Sequence, residues 1–442
     1  MPPDPMPIQS LLSLLGAFDP IRYLGVVSKV SGLLVESQGP SLSVGDICWI
    51  TPRTGAKKIA AEVVGIKDRK ILLMPFENTH GVGIGCKVES SHQQMSVGVG
   101  DSLLGRIVDG FGKPIDDVGP LDSLTPTFVH REPPAPLKRP RIADPLTTGI
   151  RAIDSLVTCG EGQRLGIFAG SGVGKSVLLG MIARNSSADI NVIALIGERG
   201  REVREFIERD LGEDGLRRSV VVVVTSDQAA VLRIRGAQIA TTIAEYFRDQ
   251  GRRVILMMDS ITRVAMAQRE IGLAVGEPPT TKGYTPSVYA LLPRLLERSG
   301  MSDKGSITGF YTVLVESDDM NDPVADTVRS ILDGHLVLSR KLAAQNHYPA
   351  VDVLNSISRL MSDVIDAEHN QLAAKARETL ATYAEAEDLI NIGAYVRGNN
   401  PRIDFALDHI ERLKIHLRQG IKEKADYAQS IDSLRQIFGR KS

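Results

Sequence analysis

Residues 169–176 read Ala-Gly-Ser-Gly-Val-Gly-Lys-Ser, between the apolar run Leu165-Gly166-Ile167-Phe168 and a helical pattern from Val177 to Arg184. Strand, glycine-rich turn and helix in that order are the context a phosphate-binding loop requires. Glycines let the backbone fold so that several N–H groups converge on one point. Those donors and the positive end of the following helix cradle a polyphosphate. Gly170, Ser171, Gly172, Val173, Gly174 and Val177 would form the cradle. Lys175 would reach the β- and γ-phosphates and the Ser176 hydroxyl would ligate Mg²⁺. Ala169 stands where the motif has glycine, a sterically mild change.

Further residues extend that chemistry. A strand ends in Ile196-Gly197-Glu198-Arg199-Gly200-Arg201-Glu202. A carboxylate at a strand tip beside the loop can orient an attacking water, although the same string would also serve as a solvated turn. The apolar run Val254 to Met258 ends in Asp259, which can hold Mg²⁺ through water. A buried carboxylate needs such a cation or a donor. Arg359, after the string Tyr348-Pro349-Ala350-Val351-Asp352-Val353-Leu354-Asn355-Ser356-Ile357-Ser358, is a candidate arginine finger or a structural salt-bridge partner. Tyr348 suits stacking on adenine, or packing in a core. Glu316 to Pro323 is acidic, either a solvated loop or a contact for a basic partner, and its spacing is not that of a calcium loop.

These residues need positioning. The central chain alternates helical patterns with apolar runs, expected as strands at Arg164–Ala169, Asn191–Ile196, Ser219–Val224, Val254–Met258, Ser306–Leu314 and Gly334–Leu338. Their continuous apolar character predicts a buried, mostly parallel sheet. Residues 20–90 alternate in short runs with turns at Ser43–Asp46 and Lys67–Lys70, which predicts a small closed β-barrel. Five prolines from Pro133 to Pro145 mark an extended connector over the surface. From about Ser362 the pattern is helical, with Ile403, Ala406, Ile410, Leu413 and Leu417 on one face. The expected division is an extension at 1–19, a barrel at 20–90, an α/β nucleotide-binding core at 91–362 and helices at 363–442.

Composition sets bounds. The chain has 442 residues, 43% hydrophobic and 24% charged, with net charge −1. That describes an ordinary globular protein without a basic block, arguing against bulk nucleic-acid binding. The longest apolar run, Val220 to Val224, is far below the ~20 residues of a membrane span. No secretory signal is expected. Cys48, Cys86 and Cys159 lie far apart, as buried thiols of a reducing cytoplasm would, and eight histidines form no metal-binding pair.

Together these strings resemble the α/β subunits of the F- and V-type rotary ATPases, and within them the ATPases of flagellar and type III protein export. The resemblance spans about residues 20–420. It rests on Pro349-Ala350-Val351-Asp352 with Ser356-Ile357-Ser358, on Ala267–Ala274 with Gly276-Glu277-Pro278-Pro279, on Tyr289–Arg298, and on Asp318–Asp326. It implies a RecA-like core between barrel and helices. It also implies Lys175 and Ser176 on phosphate and Mg²⁺, Glu198 as catalytic base and Asp259 as the second Mg²⁺ carboxylate. Arg199 and Arg263 would line the phosphates, Tyr348 would stack on adenine, and Arg359 would act on the neighbouring subunit's ATP. Asp318, Asp319, Asn321 and Asp322 would touch a coiled-coil stalk protein. The family's non-catalytic subunits lack the glutamate, so one chain carrying Lys175, Glu198, Asp259 and Arg359 implies a homohexamer of competent sites.

Ile390 to Gly398 looks like the secretion branch rather than the catalytic subunit of ATP synthase, favouring hydrolysis over synthesis. The implied setting is the cytoplasmic face of the membrane, with export gate, substrates, chaperones and a regulator gripping residues 8–18, unless that segment packs on the next domain. A virulence-type secretion ATPase is the near alternative. A ring-shaped RNA translocase would need aromatic-basic interleaving that residues 20–90 lack, Trp49 being the only tryptophan. A non-catalytic nucleotide-gated scaffold is the third.

Overall fold

A computed structural model describes residues 24–53, 57–91, 94–315 and 322–439. Residues 8–18, expected to be gripped by a regulator or packed on the next domain, lie outside them. The chain forms two compact units, divided after Met95.

The first unit is a closed antiparallel barrel. Its strands run in the order Leu24–Ser31, Leu34–Gln38, Lys70–Pro75, Ile59–Lys67, Ile47–Thr51 and Lys87–Ser90, which returns to the first. Alternation along each strand sends one set of side chains inward. Val27, Val35, Cys48, Ile50, Ala61, Val63, Leu73 and Val88 fill the interior. Asp68 and Arg69, both at positive φ, make the two-residue turn that joins Ile59–Lys67 to Lys70–Pro75. Such turns match the right-handed twist of the strands they link.

The second unit is built on one sheet. Among the described residues its path runs Ile357–Ser358, Gly334–Leu338, Arg164–Ala169, Ser306–Leu314, Arg253–Asp259, Ile190–Glu198, Ser219–Thr225 and Ile107–Val108, with Gly300–Met301 added beside Ser306–Leu314. Every pair is parallel except those made by Gly300–Met301 and by Ile357–Ser358. The five valines Val220 to Val224 and their neighbours are buried on both faces, as a sheet covered by helices requires. The principal covering helices are Lys175–Asn185, Ala230–Asp249 and Ile261–Val275.

Parallel register brings the carboxyl ends of the strands to one edge. Ala169 pairs with Leu314 and with Leu338, and Leu195 with Asp259. Ligands of open α/β sheets bind at that edge. The helices Ala367–Asn391, Pro401–Leu417 and Tyr427–Phe438 belong to the same unit, and Leu413, Leu417, Leu434 and Ile437 join the core that contains Leu165, Ile167 and Leu178. The connector from Arg131 to Asp144 is largely exposed.

Candidate active site

Arg164–Ala169 runs straight into the loop, and the helix Lys175–Asn185 leaves it. Gly172 and Gly174 take φ of 79° and 91°, the left-handed region in which a side chain is strained. Gly174 is the N-cap, so the first-turn N–H groups have no acceptor within the helix. A Cβ added at Gly170 would come within 2.7 Å of the Arg340 guanidinium. A side chain there would have to displace that guanidinium.

Three side chains meet above the sheet edge. Lys175 Nζ donates to Asp259 Oδ1 and lies 3.6 Å from Glu198 Oε1. The side chains are 13%, 3% and 13% exposed respectively, so the cluster is screened from water. Thr312 Oγ1, on the adjacent strand, donates to Asp259 Oδ1 at 2.7 Å. Two carboxylates against one ammonium leave net negative charge in a poorly solvated place. Burial is the largest influence on Lys175 and lowers its pKa, but Asp259 and Glu198 outweigh it, leaving the ammonium above its ordinary range. Burial pushes Glu198 up to about 7, with Asp259 and Glu202 raising it further against the pull of Lys175.

Glu198 Oε1 is buried and has no hydrogen-bond partner. A buried acceptor left so costs free energy unless a donor arrives, and water or a cation-bound water is the matching donor. Among the described residues no three His, Cys, Asp or Glu side chains gather as a metal site. Mg²⁺ suits such a place because it takes few protein ligands and the rest from phosphate and water. Ser176, at the second helical position, and Asp259 are the oxygen donors that fit it.

The expected arginines are placed differently from one another. Ser260 caps the helix Ile261–Val275 by accepting from Arg263 N, which puts Arg263 in its first turn. The Arg263 stem packs on Gly197, where an added Cβ would meet Arg263 Cβ at 2.8 Å, and its Nε is buried without a partner. Arg263 therefore adjoins the Glu198 strand tip. Arg199 is 77% exposed and, among the described residues, pairs with Glu202 at 3.4 Å. Arg359 is exposed at the opposite end of the sheet. Its neighbour Ser358 pairs with Gly334, four residues before Leu338, which pairs with Ala169. That is roughly 13 Å along the strands. Among the described residues its guanidinium makes no hydrogen bond or ion pair.

A cavity of about 570 Å³ opens beside the loop, lined by Gly172, Gly174, Val177, Tyr348, Gln419 and Ile421 among others. The Tyr348 ring would lie 3.6 Å from a Cβ at Gly174, and the ring is part of the cavity wall. The far wall, Arg418–Ile421, was not among the expected residues. Arg151 holds it in place, donating from Nε to His416 O at 2.8 Å and from Nη2 to Arg418 O, while its Nη1 pairs with Glu423. Gln419 accepts from Arg151 N at 2.9 Å and donates from its backbone N to Tyr348 O, also at 2.9 Å. The Gly420 that follows a helix end is the one sequence signal there.

Asp318, Asp319 and Asn321 lie outside the described residues. Asp322, expected to face a partner, caps the helix Pro323–Ile331 through Val324 N at 2.9 Å and pairs with Lys282 at 3.3 Å. Asp followed by proline at the first helical position is itself a helix-start signal.

Residues 149–358 match the nucleotide-binding domain of the ATP synthase alpha/beta family, residues 27–92 the beta-barrel domain of that family, and residues 365–436 the T3SS EscN ATPase C-terminal domain. The chain is 55% identical to the flagellum-specific ATP synthase of Bacillus subtilis, over 98% of this chain and 99% of that one. It is 49% identical to the type 3 secretion system ATPase of Xanthomonas euvesicatoria, over 94% of each. Among solved structures, the assembled ATPase EscN of the enteropathogenic E. coli type III secretion system superposes with TM-score 0.88 at 46% identity, covering 93% of this chain and 99% of that one. EscN is also solved in complex with its central stalk EscO, with TM-score 0.86 at 45% identity over 93% and 99%. No described helix is long and apolar enough to cross a membrane.

Proposed function

The chain belongs to the ATP synthase alpha/beta family, in the branch of flagellum-specific ATP synthases and type 3 secretion system ATPases, and from that premise we propose a Mg-ATP-hydrolysing motor of flagellar protein export that works as a homohexameric ring. The observation that carries the reading is Glu198 Oε1, buried, accepting no hydrogen bond among the described residues and ion-paired with Lys175 at 3.6 Å, on a chain that also bears Asp259. The flagellar assignment rests on the identity to the Bacillus subtilis protein along the whole chain.

The roles follow from position. N–H groups at the start of Lys175–Asn185, with Gly170 to Gly174, hold the polyphosphate. Lys175 exchanges its carboxylate partners for the β- and γ-phosphates, leaving Asp259 and Ser176 to hold the metal. Mg²⁺, when bound, neutralises charge on the β- and γ-oxygens. Glu198, ionised, accepts hydrogen bonds from the attacking water and orients it in line with the γ-phosphorus. Tyr348 stacks on the base within the 570 Å³ cavity. Arg263 faces the phosphates from beside Glu198, with Arg199 at the rim.

Arg359 lies too far along the sheet to reach its own loop, so it completes the site of the adjacent copy. Ring formation is thereby a condition of catalysis. A central stalk, as EscO is for EscN, serves this ring too; here it is a coiled coil that meets the acidic segment at Asp318–Asp322. The work is done in the cytoplasm at the inner face of the membrane, on export substrates delivered to a gate. Glu198→Gln tests the reading: ATP hydrolysis should collapse by about 10²–10⁴-fold while Mg-ATP binding persists. Turnover near wild type would remove Glu198 from the chemistry.

A further inference from the structure

The residue before the phosphate-loop strand is Gln163, whose side chain is wholly buried. A buried primary amide must satisfy its donors and its acceptor. Gln163 Oε1 accepts from Gly160 N at 2.8 Å. Its Nε2 donates to Asp333 O and to Ser358 Oγ, both at 3.0 Å. Ser358 Oγ also lies 3.3 Å from Oε1. Asp333 O accepts a second bond, at 3.0 Å, from Arg359 N. One amide thus grips the residue before Arg359 and shares an acceptor with Arg359 itself.

The segment it grips needs holding. Ile357–Ser358 is a two-residue strand at the sheet's edge, too short for its ladder to fix register alone. Arg377 secures the preceding loop through Val353 O and Ser356 O. Asp333 is steadied in turn by Arg164, whose Nε and Nη2 reach its carboxylate at 3.0 and 3.2 Å. Gln163 precedes, and Arg164 opens, the strand that leads into the phosphate loop.

We propose that Gln163 is a positioning residue for Arg359: it anchors the guanidinium a protomer lends to its neighbour onto the strand that carries the protomer's own phosphate loop. This rests on the reading in which Arg359 acts on the adjacent copy. Gln163 then serves a site other than the one its own strand supports, a property that separates positioning from mere support of the fold. Loosening the clamp should cost ~10–100-fold in kcat, as a misplacement of about 1 Å does, with KM for ATP unchanged.

The experiment mixes full-length variants. Gln163→Leu, Ser358→Ala and Arg359→Ala are each assayed for Mg-ATP hydrolysis alone and after equal mixing with Lys175→Ala, which has a dead site but an intact Arg359. Random mixing in a closed ring places about half of the intact sites, or about a quarter of all sites, beside an intact Arg359. All three should regain activity on mixing, and Ser358→Thr, which keeps the hydroxyl, should retain it unmixed. If Arg359→Ala regains activity and neither Gln163→Leu nor Ser358→Ala does, or if both of these turn over normally alone, the positioning role is wrong. Failure of Arg359→Ala to recover overturns the underlying trans reading instead. Should Gln163→Leu not fold, Ser358→Ala decides by the same mixing.

Discussion

Replacing Glu198 with glutamine should stabilise the nucleotide-free protein, and the gain should depend on pH in a direction set by the site. Burial holds the Glu198 carboxyl at about 7 in the folded chain, against 4.5 for an ordinary glutamate. Between those values the folded state keeps a proton that the unfolded state has released. Stability then falls as pH rises, since the slope follows the difference in bound protons. Below pH 4.5 the carboxyl costs nothing, and above 7 the full cost is present. Each pKa unit is worth ~1.4 kcal/mol, so the shift corresponds to an upper value of ~3 kcal/mol at pH 8. Glutamine has the same shape and no charge to desolvate, so Glu198→Gln should recover most of it, a few degrees in Tm.

Thermal unfolding of the ligand-free wild type and variant at pH 5, 6, 7 and 8, at one scan rate and ionic strength, gives the measurement. The difference should be small at pH 5, widen through 6 and level off near 8. The same titration predicts that wild-type kcat/KM falls on the acid side of about pH 7, because the base must be ionised to accept from water. A Tm difference that stays flat across this range, or is largest at pH 5, would refute the claim that burial outweighs the Lys175 ion pair at position 198.

Two further outcomes follow from the loop and the cavity. Tyr348→Ala should weaken ATP binding by ~1–3 kcal/mol while Tyr348→Phe leaves it near wild type, measured by titration with a non-hydrolysable nucleotide, because the ring face and not the hydroxyl meets the base. Gly172→Ala should cost ~1–2 kcal/mol of strain at φ 79° and lower nucleotide affinity more than overall stability, read from parallel binding and unfolding curves.

How much of the fold is legible in the order of residues alone depends on element length and on chemistry. The strands Arg164–Ala169, Ser306–Leu314 and Gly334–Leu338 lie where continuous apolar runs put them, because a sheet buried on both faces imposes that pattern. Ile357–Ser358 and Gly300–Met301 leave no such trace, since two residues have no periodicity and their pairing is decided by distant partners. Lys175, Glu198 and Asp259 are legible because each ends or follows an apolar run, and parallel register carries such ends to one edge. The cavity wall at Arg418–Ile421 is not, because its position is fixed by Arg151, more than 260 residues earlier in the chain. Asp322 carries a second legible role: an Asp before a proline marks a helix start, and its carboxylate accepts from Val324 N.

The placement of Arg359 draws these threads into one constraint. A residue that must stabilise charge on a phosphate cannot do so from the amino-terminal edge of a parallel sheet whose phosphate loop lies at the carboxyl edge. Its main chain is fixed there by Asp333 O, and the preceding strand by Gly334, so no side-chain rotation brings it back across about four strand residues. A guanidinium left exposed just after an edge strand, without an ion pair among the described residues, is available to a second molecule instead. Six copies arranged head to tail satisfy every such residue once and leave none over, whereas a two-fold dimer would have to bring both sheet ends to one self-complementary patch. On the reading in which Arg359 acts on ATP, the catalytic set is divided between the sheet's two edges, and a neighbour in the same orientation reunites it.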